Sequence, residues 1–144
     1  MTKLEQQIVN HEGLKLTPYI DTRGYLTVGV GYNIGRSVRG IPSKWGWKLT
    51  KAQAIEQLKE DISACEIDLY YLFFNWYELS EDRQNVLIDM RFQLGYAGFR
   101  TFGRLIEAVL ERRYDDVPVE MKNSMWHSQT PNRAKDLIKQ WENG

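Results

Sequence analysis

The chain of 144 residues has one cysteine, two histidines and four prolines. A single Cys65 excludes an internal disulfide, which suits a protein made in a reducing cytosol. So few thiols and imidazoles give no metal-ligand spacing, and neither a metal nor another cofactor is expected. No apolar run approaches the roughly 20 residues that span a bilayer, so stable membrane insertion is not expected. The opening Met1-Thr2-Lys3-Leu4-Glu5-Gln6-Gln7 lacks the apolar stretch of a secretory signal. Hydrophobic residues nevertheless make up 42%, with five Trp, eight Tyr and five Phe, which is ample for a packed interior. The length suits one domain, or two small lobes that share a core.

Net charge is also missing: 19 basic residues balance 19 acidic ones. The balance is uneven along the chain. Residues 1–48 carry seven Lys and Arg against three Asp and Glu, residues 49–89 three against nine, and residues 90–144 nine against seven. Two mildly basic ends thus flank an acidic middle. Such ends can attract a polyanion, either wall polymer or nucleic acid, although an ordinary solvated surface is the better explanation of any single cluster.

Periodicity predicts a first helix over Lys3 to His11, with Leu4, Ile8 and His11 on one stripe and Gly13 as terminator. Glu12 then falls at the helix C-terminus, where the macrodipole disfavours negative charge by about 0.3–1 kcal/mol. Two short extended segments follow, joined by Asp21-Thr22-Arg23-Gly24, with Asp opening and Gly closing a turn. From Tyr25 to Tyr32 the pattern alternates, with Leu26, Val28, Val30 and Tyr32 on one face and Thr27, Gly29 and Gly31 on the other. Glycines on one strand face mark close approach of a ligand or a backbone, and a permissive bend explains them equally well.

A loop rich in Gly, Ser, Arg and Trp is expected from Asn33 to Leu49. Thr50 with Gln53 fits a capping box. The helix it opens carries Ile55, Leu58, Ile62, Cys65, Leu69 and Leu72 on one seam, with Cys65 as a small core residue. At 1.5 Å per residue this helix, Thr50 to about Leu72, is roughly 30 Å long. Ser80 caps a helix to Leu94 that Gly95 stops. Further helices are expected over Thr101 to Arg113, near Val117 to Ser124, and from a Thr130-Pro131 cap to about Glu142. The fold class is α+β, mostly helical.

Glu12, Asp21 and Thr27 place two carboxyls and a hydroxyl around a helix end and a hairpin. Two carboxyl groups facing one another are what glycosidic bond cleavage requires, one to donate a proton and one to handle water or developing charge. A proton donor has to hold its proton near neutral pH, which calls for a desolvated carboxyl.

The run His-Glu-Gly-Leu, then Tyr-x-Asp-Thr-x-Gly-Tyr, then Thr-x-Gly-x-Gly, resembles the phage-type lysozymes, the endolysin muramidases with a Glu/Asp/Thr motif. Met90-Arg91-Phe92-Gln93-Leu94-Gly95 and the stretch Trp126 to Lys135 match in the same order, so the resemblance covers essentially the whole chain. It implies a lysozyme-like two-lobe fold in one domain, 1–144. The small lobe would cover about 13–55, the connecting helix about 50–72 and a helical lobe about 73–144, with helix 1–12 packed on the last. It implies hydrolysis of the β-1,4 bond between N-acetylmuramic acid and N-acetylglucosamine in peptidoglycan.

Carried over by resemblance, Glu12 is the proton donor, Asp21 positions the water or stabilises the sugar cation, and Thr27 helps hold that water. The resemblance implies inversion, for which carboxyl groups stand roughly 6.5–9.5 Å apart, against about 5–5.5 Å for retention. Arg133 is implied to pair with Glu12 across the lobes. A guanidinium favours the charged carboxyl and burial the neutral one, a balance the sequence leaves open. An arginine in the first turn of the last helix is otherwise a plain surface residue, mildly disfavoured there. Phe92 and Gln93 are implied to line the sugar groove, as an apolar platform and as an amide for N-acetyl groups. Gly31 offers backbone to the saccharide, and Asn132 is a further substrate-binding candidate. His11 and His127 are read as structural.

The chain departs from the family's pattern at Tyr32, where many relatives have histidine, and at Arg91, where the position is often apolar. Neutral charge predicts a weaker salt dependence of wall binding than a basic enzyme shows. The nearest alternative is a lytic transglycosylase, which needs no positioned water, so Asp21 and Thr27 argue against it. A wall-binding module without catalysis and a helical nucleic-acid binder are the others. The acidic helix Thr50 to Leu72 speaks against the last, and no nucleic-acid partner is expected. Lacking an export signal, a monomeric enzyme made in the host cytoplasm would depend on a holin-like permeabiliser to reach the wall from the periplasm and lyse the host.

Overall fold

A computed structural model of the chain describes residues 1–20, 26–35 and 49–144, with only the backbone at 18, 20, 26 and 33–35. The described residues form two compact units, Met1–Ser63 and Ala64–Gly144. Seven α-helices and a three-stranded antiparallel sheet are found among the described residues, so the architecture is α+β and mostly helical.

The first unit begins with α1 (Lys3–Glu12). Its N-terminus is closed by a capping box that sequence reading missed. The Thr2 hydroxyl accepts from Glu5 N–H and the Glu5 carboxylate accepts from Thr2 N–H, each at 3.1 Å. At the other end the Gly13 N–H donates to the Val9 carbonyl at 2.8 Å, and Gly13 turns the chain at φ 79°.

Strands β1 (Lys15–Ile20), β2 (Leu26–Gly29) and β3 (Tyr32–Gly35) follow in sheet order β1-β2-β3. Tyr19 pairs with Thr27, Thr27 with Asn33, and Val28 with Tyr32. The extended segment expected from Tyr25 to Tyr32 is therefore two strands. Gly29 at φ 67° and Gly31 at φ 70° adopt left-handed backbone open to glycine, and the chain reverses between them at Val30. Asn33 to Gly35, expected in a loop, belong to β3, because the reversal pairs them with β2. The rest of that loop, and the Asp21-Thr22-Arg23-Gly24 turn, lie outside the described residues.

The sheet packs on the start of α2 (Lys51–Leu72). Buried Val28, Leu49 and Ala54 form a small core, with Leu14, Leu16 and Tyr32 against it. A Cβ on Gly29 would lie 3.5 Å from Leu49 Cδ2 and 3.7 Å from Ala54 Cβ, so the bare face of this residue serves internal packing. Tyr32, a departure from the family's pattern, supplies apolar contact here. The expected capping box is present. Thr50 N–H donates to Gln53 Oε1 at 2.9 Å, and Gln53 N–H to Thr50 Oγ1 at 3.1 Å. Along the seam Leu58, Ile62, Cys65 and Leu69 are buried, while Ile55 and Leu72 at its ends are half-buried.

The second unit holds the remaining helices: α3 (Glu81–Arg100), α4 (Gly103–Leu110), α5 (Asp116–Lys122), α6 (Met125–Gln129) and α7 (Pro131–Asn143). Gly95, at φ 74° and ψ 164°, breaks α3 where the sequence reading ends a helix. Helix α6 was not expected, because five residues carry too little periodicity to register. The helix expected over Thr101 to Arg113 is shorter, since Arg112 turns to φ 59° just past its end. The core is aromatic: Phe73 stacks on Trp76 and meets Phe99 edge-on, each pair 6.4 Å between centroids. Trp141 donates its indole N–H to the Tyr114 carbonyl at 2.8 Å, and Arg83 lies over both rings. Among the described residues no helix is long and apolar enough to cross a membrane.

Candidate active site

In the first unit, Glu12 is the last residue of α1 and half-buried, where helix geometry delivers it next to the Gly13 turn. Thr27 sits mid-strand in β2, paired on both sides, and is 3% exposed, so its hydroxyl is screened from bulk water. Gly31 lies in the tight turn between β2 and β3. Asp21 lies outside the described residues.

In the second unit, Phe92 and Gln93 on α3 are half-buried, and Asn132 and Arg133 occupy the first turn of α7, with Asn132 exposed. Helices α3 and α7 pack against each other. Arg133 is no plain surface residue. Its side chain is 9% exposed and bonds Asp89 of α3, which is fully buried. Nε donates to Asp89 Oδ1 at 2.9 Å and Nη2 lies 2.7 Å from the same oxygen. Sequence reading missed Asp89. Its signal was present, a carboxylate set inside the apolar run Val86-Leu87-Ile88-Asp89-Met90, where a charge needs a partner.

Gln93 is fixed by a residue of α6 that was also overlooked. The Trp126 indole N–H donates to Gln93 Oε1 at 2.8 Å. Trp126, 4% exposed, also walls a groove of about 730 Å³ with Leu94, Gly98, Phe102, Ser124 and Gln129. The second departure, Arg91, pairs with Asp68 at 2.8 Å and lies 5.9 Å from the Tyr96 ring, so its charge is held locally on α2. Thr130 holds the N-cap position of α7 before Pro131, as expected, but its side chain makes no capping hydrogen bond. Its hydroxyl donates to the Trp126 carbonyl at 3.0 Å, which ties the α7 entry to α6. No group of three or more metal-binding side chains occurs among the described residues. Taken separately, the first unit offers a carboxyl and a hydroxyl, groups able to exchange protons, and the second a guanidinium and an amide, groups able to bind a polar ligand.

The family model described as Phage lysozyme matches residues 9–142, an interval that includes every site residue named above. The chain is similar to the probable T4-type lysozyme 1 of Dictyostelium discoideum, at 28% identity over all of this chain and 96% of that one. It is also similar to the pre-baseplate central spike protein Gp5 of Enterobacteria phage T4, at 25% identity over 91% of this chain and 26% of that one. A third similarity is to the peptidoglycan hydrolase gp36 of Pseudomonas phage phiKMV, at 27% identity over 93% of this chain and 14% of that one.

Proposed function

Because the chain belongs to the phage lysozyme family and is thereby a glycoside hydrolase, we propose that it cleaves bacterial peptidoglycan between N-acetylmuramic acid and N-acetylglucosamine. Glu12 gives a proton to the leaving glycosidic oxygen as the bond to the anomeric carbon breaks. Asp21 activates a water that enters from the opposite sugar face, so the configuration inverts. Thr27 holds that water, accepting and donating through one hydroxyl. Arg133 supports the acid. Phe92, Gln93, Gly31 and Asn132 bind the glycan, and the enzyme works without a cofactor.

The observation that carries this reading is the family match over residues 9–142, with Glu12, Asp21 and Thr27 standing in the family's order. The placements of Glu12 at a helix end and of Thr27 in a screened strand support the roles given to them. The biological role we infer is host lysis by a monomer that reaches the periplasmic wall after a holin-like partner opens the membrane. Similarity to a phage peptidoglycan hydrolase supports action on the wall.

Muropeptide mass spectrometry on the parent protein, Glu12→Gln and Asp21→Asn tests the reaction. Products with a reducing muramic acid end, absent with either variant, are expected. A 1,6-anhydro end would identify a transglycosylase, and undiminished lysis by Glu12→Gln would refute the assignment of the acid. Proton NMR of the first anomer released distinguishes inversion from retention.

A further inference from the structure

We propose that Asp89 is a positioning residue for this hydrolysis, acting through Arg133; the proposal rests on the reading of Arg133 given above. Asp89 is fully buried in the middle of α3, and Arg133 reaches it from the first turn of α7. Two of the guanidinium's three nitrogens, Nε and Nη2, converge on Oδ1 at 2.9 and 2.7 Å, and Nη2 also lies 3.5 Å from the Asp89 carbonyl oxygen. A planar guanidinium held through two nitrogens on one carboxylate oxygen is restrained in direction, so Asp89 sets where its Nη1 edge points. The pair is also net neutral.

A purely structural role explains the pair less well. A buried ion pair seldom stabilises a fold better than apolar residues of the same volume. A cation in the first turn of a helix is disfavoured by the macrodipole as well. The pair sits among the ligand-binding candidates: Phe92 and Gln93 follow Asp89 within about one helical turn, and Asn132 precedes Arg133. The fold keeps a charged, directional group there, at the cost of burying its counter-ion.

A double-mutant cycle on the full chain tests this, with kcat and KM measured on peptidoglycan and normalised to the folded fraction by circular dichroism. Asp89→Asn is expected to lower kcat by at least about tenfold with KM within about twofold, as misplacement of a site group does. In an Arg133→Gln background the same change is expected to alter kcat by less than about twofold. Equal losses in both backgrounds, or full kcat in Asp89→Asn, would overturn the proposal. If Asp89→Asn alone does not fold, Arg133→Gln against the double variant still decides. Equal rates support the proposal and a further tenfold loss refutes it. Glu12→Gln is run alongside. If it stays active, the reading of the site is at fault; if it is inactive and the cycle is additive, Asp89 alone has been misassigned.

Discussion

Trp126 donates its indole N–H to Oε1 of Gln93 at 2.8 Å, and that bond orients an amide. Indole is a donor only, so the carbonyl end of Gln93 faces Trp126 and the NH2 end faces away. No partner for that NH2 occurs among the described residues. It is the end suited to the carbonyl oxygen of an N-acetyl group. Gln93→Glu keeps the acceptor for Trp126 and loses the donor, so KM for peptidoglycan is expected to rise about tenfold with kcat retained. Gln93→Leu also orphans a buried indole, and urea denaturation is expected to show an added loss of about 1–3 kcal/mol.

Gly95 separates sterics from backbone strain. A Cβ placed there meets nothing within 4 Å, yet φ 74° with ψ 164° is a region that L side chains scarcely enter. Gly95→Ala is expected to lose about 1–3 kcal/mol, seen as a lower urea midpoint with an unchanged slope. An unaffected midpoint would mean that α3 can straighten through residue 95.

Thr130 occupies the N-cap position that the sequence assigns to it, yet its hydroxyl does not do a cap's work. A true cap accepts from backbone N–H, so Asp would serve it as well as Thr. Here the hydroxyl donates to the Trp126 carbonyl. Thr130→Asp sets an acceptor against an acceptor and is expected to lower the melting temperature. Thr50→Asp, at a working box, is expected to leave it within about 2 °C.

Trp76 and Trp141 are equally buried, at 1% exposure, and differ in one bond. Trp141 Nε1 has the Tyr114 carbonyl, whereas Trp76 Nε1 has no hydrogen-bond partner among the described residues. Substituting Phe removes a satisfied donor in one case and an orphaned donor in the other. Trp141→Phe is expected to be the more destabilising by about 1–2 kcal/mol in calorimetry.

Arg112 holds Glu78 through two hydrogen bonds of 2.9 Å, which lower the Glu78 pKa below the usual glutamate value, with the arginine's charge adding to the effect. A carboxylate whose folded pKa is depressed contributes stability above its unfolded pKa and loses it as pH falls through the folded one. The melting-temperature difference between parent and Glu78→Gln is therefore expected to be small near pH 7, both side chains being half exposed, and to vanish in strong acid.

Patterned elements were legible in the sequence, and isolated geometry was not. The α2 seam and the Thr50 box could be read because 22 residues repeat one physical demand. Gly95 announced its break because a glycine at the end of a periodic run has few other uses. The β2–β3 reversal was misread since two glycines spaced by one residue fit an extended strand and a tight turn alike. At the site, single residues became readable only in family order. Asp89 and Trp126 escaped because their partners lie 44 and 33 positions away, and separation of that kind is decided by packing rather than by neighbours in the chain.

The division between Ser63 and Ala64 falls inside α2, in the middle of an unbroken spiral. A protease looking for a hinge at that point meets intact turns whose amides are already engaged. Genetic scission there would strand half of a hydrophobic ridge on each fragment. The gene therefore offers no neutral seam at which these halves could be traded as separate modules.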